Sequence, residues 1–359
     1  MIPSILAHQL QKGVEDFLQT TFPPSTPFFH GIIDTLLSAK EGIFKGPYLS
    51  IQLPFRRSEG GVDFFEDIDI AFTPYLHQER AFERISGPNP RSTIVATGTG
   101  SGKTECFLYP ILDHCFRHRG EPGIKAVLIY PMNALAIDQA GRIARAIFRD
   151  RSLKGNVTAG LFVGQSEKDP QIGMSAEAVI SHKDTLRHSP PDILLTNYKM
   201  LDYLLVRARD YPLWRQNGPE TLRYLVVDEL HTFDGAQGTD LACLLRRLKA
   251  RLNTPKHHLC CVGTSATLGA RDAEKRLLSY AAEIFGEPID EDAVIAEYRV
   301  SAGEFLEKSL ISRMDIPPRE AAALLDPESY NGVEELVTAQ YRLWFNEEIP
   351  SEMIQNWEW

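Results

Sequence analysis

The stretch Thr93-Ile-Val-Ala-Thr-Gly-Thr-Gly-Ser-Gly-Lys-Thr104 decides the fold of this 359-residue chain. It begins with β-branched residues typical of a strand, continues through a glycine-rich turn, and ends where an apolar helical pattern begins. A strand, loop and helix in this order form the phosphate-binding loop of many nucleotide-binding proteins. The standard loop pattern begins with glycine, whereas this loop begins with Thr97. The stretch therefore predicts a nucleotide site with one departure from the usual pattern.

The composition of this loop suits a triphosphate. Glycines allow backbone N–H groups to point toward an anion, and the helix N-terminus adds its positive dipole end. We predict that Lys103 reaches the β- and γ-phosphates and that the Thr104 hydroxyl ligates Mg²⁺. The loop residues predicted to hold ATP are Thr97, Gly98, Thr99, Gly100, Ser101, Gly102, Lys103 and Thr104.

Composition predicts a soluble cytoplasmic protein. Hydrophobic residues make up 43% and charged residues 24% of the chain, as in ordinary globular domains. No apolar run reaches membrane-spanning length, and the N-terminus lacks the pattern of a signal peptide. The five cysteines show no metal-ligand spacing, which is typical of buried, reduced thiols.

The net charge of −10 is distributed unevenly along the chain. Residues 1–70 have a net charge of −4 and residues 286–359 one of −12, whereas residues 71–285 have a net charge of +6. The mildly basic middle of the chain therefore permits a polyanionic partner. The same boundaries separate three predicted regions: a helical and extended accessory region, an ATP-binding α/β domain, and an acidic helical segment.

Six apolar runs from residue 93 onward predict a mostly parallel sheet, because helical patterns separate most of them and the runs are nearly continuous in apolar residues. The runs are Thr93–Ala96, Ala126–Tyr130, Ala159–Val163, Ile193–Thr196, Tyr224–Val227 and Leu259–Val262. Ligands of such sheets bind at the carboxyl ends of the strands, where the polar clusters of this sequence are found.

Two adjacent carboxylates follow the run Tyr224–Val227. We expect Asp228 to hold Mg²⁺ through its water shell, and Glu229 to orient and deprotonate the attacking water. His231, Ser265 and Thr267 would lie near the γ-phosphate and relay its loss. A helix-capping Ser or Thr and a histidine at the edge of the core remain the alternatives for these three residues.

Further polar groups suggest contacts with a base and with a nucleic-acid backbone. Gln78 follows a proline-led loop at the start of a helix, where its amide could bind an adenine edge while Phe72 or Tyr75 stacks on the ring. The groups suited to phosphodiester contacts are Pro131, Asn133, Gln139, Thr196, Asn197 and Lys199. A helix over Leu241–Leu252 carries four cations, which indicate either a solvated face or further backbone contacts.

Taken in order, these clusters resemble the first RecA-like domain of a superfamily 2 DEAD/DEAH-box helicase over about residues 70–285. The clusters are Gln78, Gly98–Thr104, Pro131–Gln139, Thr196–Asp202, Asp228–His231 and Ser265–Thr267. Asp228–Asp240 and the helix after it are similar to large bacterial DNA helicases of the Lhr, YprA and MrfA kind. Gly46–Arg56 resembles the leader of larger members associated with anti-phage defence, such as the Druantia helicase.

The resemblance implies ATP-dependent translocation on single-stranded DNA, with 3′ to 5′ polarity. Leu230 stands where the family has alanine, but it should not touch the metal. Because residues 286–359 are too short for a second RecA-like domain, we expect that domain elsewhere in a longer protein. The tail would then be an insertion between the motor halves. The alternatives left open are a non-catalytic nucleotide-sensing scaffold and an RNA substrate.

Overall fold

The computed structural model describes residues 3–23, 25–29, 31–38, 52–59, 64–164, 169–266, 271–306, 329–346 and 348–349. The chain divides into two compact units, one of which is Pro54–Val300. The other consists of the residues on either side of it in the sequence.

The larger unit is built on a seven-stranded sheet in which all paired strands are parallel. The sheet order is β3-β4-β2-β5-β6-β1-β7, and the strands are β1 (Thr93–Ala96), β2 (Ala126–Tyr130), β3 (Ala159–Phe162), β4 (Ile193–Asn197), β5 (Tyr224–Val227), β6 (Cys260–Ser265) and β7 (Val294–Ala296). This architecture confirms the predicted α/β RecA-like fold class. β6 continues past the predicted end of its apolar run, because Gly263, Thr264 and Ser265 stay paired with β1.

Helices cover both faces of this sheet. The α-helices of the described residues are α1 (Pro3–Thr21), α2 (Ile32–Ser38), α3 (Leu76–Ile85), α4 (Lys103–Arg117), α5 (Asn133–Arg149), α6 (Lys183–His188), α7 (Tyr198–Val206), α8 (Gly235–Leu252), α9 (Arg271–Phe285), α10 (Ala302–Leu306) and α11 (Val333–Phe345). Helices α3, α4 and α5 pack on the face that includes Val95, whereas α7, α8 and α9 pack on the face that includes Ile94. Each fully buried aliphatic side chain in these layers contributes about 1.5–3 kcal/mol.

The seventh strand lies inside the segment that the sequence predicted to be helical. β7 pairs with β1, with Ile94 opposite Val294. Its apolar run, residues 293–296, is four residues long and flanked by acidic residues, and the acidic surroundings favoured a helical segment over a strand. The sheet therefore extends beyond the predicted boundary at residue 285. The unit also begins before residue 71, because Phe65 and Ile68 are buried in its core.

The smaller unit contains α1 and α2, which fall in the accessory region predicted to be helical and extended. Its described C-terminal part contains α10 and α11. The first part of the stretch Gly46–Arg56, residues 46–51, lies outside the described residues. No helix in the described part of the chain is long and apolar enough to cross a bilayer.

Candidate nucleotide site

The order of the sheet brings three chain segments together at one edge. β6 lies between β1 and β5, so the loops after these three strands are neighbours. The loops after β1 and β5 line a cavity of about 620 Å³ together with residues of α3, α4 and α5, a volume within the range of small-molecule ligand sites. The residues predicted to bind the phosphates, the metal and the attacking water, Lys103, Thr104, Asp228 and Glu229, all line this cavity.

The glycine-rich loop adopts a conformation that only glycine reaches without strain. Gly100 and Gly102 have φ angles of +79° and +78°, and Gly102 caps the N-terminus of α4. Thr97, which replaces the usual first glycine, lies 2.7 Å from the Ser101 hydroxyl through its own Oγ1. This hydrogen bond closes the base of the loop, so the threonine that replaces glycine stabilises the loop.

Lys103 is paired within the site. Its Nζ lies 3.1 Å from Glu229 Oε1 and 3.4 Å from the Ser265 carbonyl oxygen. Glu229 has a φ of +50°, in the left-handed region that a non-glycine residue seldom adopts. The turn after β5 therefore directs Glu229 toward the loop lysine, and a bound phosphate would compete with this carboxylate for the ammonium group.

Thr264 organises the two carboxylates, although the sequence did not single it out. Its Oγ1 donates a hydrogen bond to Asp228 Oδ1 and accepts one from the Glu229 N–H at 2.9 Å. Partial burial raises the pKa of Asp228, and the nearby charge of Glu229 adds to that shift, while the Thr264 hydrogen bond opposes it. The only sequence signal for Thr264 was its place just after the predicted strand Leu259–Val262.

The cavity is also lined by the residues predicted to contact adenine, Phe72, Tyr75 and Gln78, and we call this part of it the base end. Gln78 is only 2% exposed, and both ends of its amide are engaged. Its Oε1 accepts from the Tyr75 N–H at 2.8 Å, and its Nε2 donates to the Gly102 carbonyl at 3.1 Å. Gln78 thus fastens the start of α3 to the phosphate loop, and contact with an adenine edge stays a prediction.

His231 lies close to Ser265 and to the carboxylate of Glu229. His231 Nδ1 lies 3.4 Å from both Ser265 Oγ and Glu229 Oε2. The structure thus brings together two of the three residues predicted to relay loss of the γ-phosphate. Thr267 lies outside the described residues.

The residues predicted for nucleic acid divide into two groups. Gln139 is 6% exposed and accepts a hydrogen bond from Thr104 Oγ1 at 3.0 Å, so it belongs to the nucleotide cavity and not to the predicted nucleic-acid surface. Thr196 is fully buried and its hydroxyl donates to the Phe162 carbonyl at 2.7 Å. A polar residue at a strand end can face the interior as readily as solvent, which is why sequence reasoning misplaced both.

The remaining four lie at or after the carboxyl ends of β2 and β4, which are adjacent in the sheet. Asn197 donates to the Asn133 side chain and caps α7. Lys199 is exposed, and Pro131 is half-buried. These residues stay candidates for nucleic-acid contact.

The cations of α8 have partners within the protein. Lys249 Nζ donates to Glu287 and to the Phe285 carbonyl, both at 2.8 Å. Arg247 pairs with Asp202, and Arg246 donates to the Glu283 carbonyl at 3.0 Å. These contacts tie α8 to its neighbours, a role that neither of the two predicted meanings of the cations included.

Comparison with known proteins gives a consistent result. The DEAD/DEAH box helicase family model matches residues 75–275. The Druantia protein DruE of Escherichia coli (strain UMEA 4076-1) is 28% identical over 327 residues, with 64% of this chain and 18% of DruE covered. The uncharacterized ATP-dependent helicase YprA of Bacillus subtilis (strain 168) is 25% identical over 258 residues, with 66% of this chain and 31% of YprA covered. This chain thus spans less than a third of the length of either relative.

Among solved structures, the DUF1998 helicase MrfA bound to DNA superimposes with a TM-score of 0.50 at 21% identity. The match covers 68% of this chain and 29% of MrfA. At this identity the likeness shows the fold.

Proposed function

This chain belongs to the DEAD/DEAH box helicase family, and we propose that it is the ATP-binding motor half of an ATP-dependent DNA helicase or translocase. The observation that carries the proposal is the convergence of Lys103, Thr104, Asp228 and Glu229 on one cavity. These are the charges and hydroxyl that a metal-bound triphosphate requires, on a loop whose glycines leave the backbone free to approach it.

Each side chain has a role that follows from its position. Lys103 would exchange Glu229 for the β- and γ-phosphates and neutralise their charge. Glu229, released from the lysine, would orient a water molecule and accept its proton. Thr104 and Asp228 would hold Mg²⁺, which when bound stabilises the negative charge that develops on the phosphate oxygens.

The proposed coupling to nucleic acid uses α5. Gln139 on this helix contacts Thr104 at the metal end of the cavity, and Asn133 at its first turn contacts Asn197. One rigid element therefore joins the nucleotide site to two candidate backbone contacts. The pair His231 and Ser265 would act on the other side of the site, beside the carboxylate that activates water.

The proposals for the substrate, the polarity and the biological role rest on similarity to known helicases. MrfA was solved bound to DNA, and the similarity of this chain to it supports DNA as the substrate. The 3′ to 5′ polarity is proposed from the resemblance of the sequence to this group of helicases. The resemblance to the Druantia helicase is also the ground for proposing a role in anti-phage defence. A second RecA-like domain in a longer protein would complete the motor.

The proposal is tested by steady-state ATP hydrolysis with and without single-stranded DNA. We expect slow hydrolysis that DNA accelerates and that Glu229→Gln abolishes. Tight ATP binding with no turnover under either condition would instead favour a nucleotide-sensing scaffold. Competition between a DNA strand and an RNA strand of matched sequence then separates the two substrates, and stronger competition by RNA would overturn the DNA assignment.

A further inference from the structure

Arg57 is a cation at the base end of the nucleotide cavity. It belongs to none of the motifs of the sequence, and the family assignment gives it no role. It lines the cavity together with Phe72 and Tyr75. Its side chain is exposed, and within the described residues no carboxylate forms an ion pair with it. By contrast, two other cations of the same cavity are neutralised: Lys103 pairs with Glu229 and Arg142 pairs with Glu105.

The backbone around Arg57 is held in place from two sides. On one side, Arg57 forms an antiparallel bridge with Tyr75, and the Leu76 N–H donates to the Arg56 carbonyl at 2.9 Å. On the other side, Phe55 bridges Arg299, whose guanidinium lies 4.1 Å from the centre of the Phe55 ring. The segment 54–58 is thus fixed between the entrance of α3 and the chain that follows β7, so the position of Arg57 does not depend on a loose loop.

We propose that Arg57 binds the base of the nucleotide, so that a residue outside the predicted α/β domain completes the ATP site. The assignment rests on the proposed function, because it needs a nucleotide in this cavity. Tyr75, the backbone partner of Arg57, lies at the base end of the cavity, while Lys103 and the glycine-rich loop supply the phosphate end. A planar, weakly hydrated guanidinium is suited to stacking on an aromatic base.

The test compares the affinities of the whole chain for MgATP, MgADP and magnesium tripolyphosphate, measured by calorimetry. Arg57→Ala should raise the Kd of both nucleotides about 10-fold and leave that of tripolyphosphate within about 2-fold, since a single cation–π contact is worth about one factor of ten. Arg57→Lys should retain part of the affinity, because lysine keeps the charge but loses the planar group. Arg119→Ala is the matched control, since this exposed arginine lies beyond α4 and contacts only Phe116 among the described contacts.

Three outcomes would overturn the assignment. Unchanged MgADP affinity in Arg57→Ala would show that the side chain does not touch the nucleoside. An equal loss for tripolyphosphate would place its contact on the phosphates. Failure of the unmodified chain to bind any nucleotide would overturn the proposed function itself, and the assignment of Arg57 with it.

Discussion

Replacement of Gly102 by alanine tests the contact between the phosphate loop and α3. Gly102 has a φ of +78°, and an added Cβ would lie 2.3 Å from Gln78 Nε2 and 3.1 Å from Glu105 Oε2. The left-handed backbone costs an alanine about 1–2 kcal/mol. Relief of the clash requires Gln78 to move, which breaks its hydrogen bonds to Gly102 and Tyr75 at a cost of about 0.5–1.5 kcal/mol each. We therefore expect Gly102→Ala to lower the free energy of unfolding by about 3 kcal/mol.

Gly100→Ala is the matched control. Gly100 has a φ of +79°, but nothing lies within 4 Å of an added Cβ. Gly100→Ala should therefore lower the free energy of unfolding only by the cost of the left-handed backbone, about 1–2 kcal/mol. The difference between the two variants isolates the contact with Gln78.

Urea unfolding of both variants, of Gln78→Ala and of the double variant Gln78→Ala/Gly102→Ala measures these terms. Because the clash disappears when Gln78 is truncated, the two substitutions should be non-additive by about 1–2 kcal/mol. Equal losses for Gly100→Ala and Gly102→Ala, or strict additivity with Gln78→Ala, would show that the glutamine does not restrain the loop.

Two further predictions concern the catalytic carboxylate and a histidine of α4. Glu229→Gln should lower the rate of ATP hydrolysis, measured by phosphate release, about 10²–10⁴-fold. ATP affinity, measured by calorimetry, should be kept or rise, because Lys103 loses the charged partner that competes with the phosphates. A loss of affinity that parallels the loss of rate would contradict this. Burial lowers the pKa of His114 from 6.5 to about 3, so between these values the unfolded chain binds a proton that the folded chain does not, and stability should fall as pH falls through this window. His114→Gln should flatten that part of the pH dependence of the urea midpoint, whereas an unchanged slope would exclude His114 as its source.

The sheet could be predicted from sequence where its strands are buried on both faces. Runs such as Ala126–Tyr130 and Tyr224–Val227 are apolar throughout, and their lengths match the observed strands closely. β7 escaped prediction because its four-residue apolar run, residues 293–296, lies among carboxylates in a segment whose acidic composition favoured helices. It is recognisable only once β1 provides a partner for its backbone.

The candidate site likewise contains some residues that the sequence predicted and others that it did not. Lys103, Asp228 and Glu229 could be singled out because each follows a strand, Lys103 after the glycine-rich loop and the two carboxylates directly. Arg57 was not, because it reaches the cavity through an isolated antiparallel bridge to Tyr75 rather than through a motif. Gln139 was assigned to the wrong place because its helix follows a strand end, yet its side chain turns back toward Thr104.

The interpretation of this cavity as an ATP site depends above all on Lys103, which alone among its described cations extends from the glycine-rich loop. The direct measurement is calorimetric titration of MgATP into the unmodified chain and into Lys103→Ala. We expect saturable binding of one nucleotide per chain in the first case and no detectable binding in the second. Binding to Lys103→Ala with an unchanged Kd would contradict the assignment of this cavity to a triphosphate.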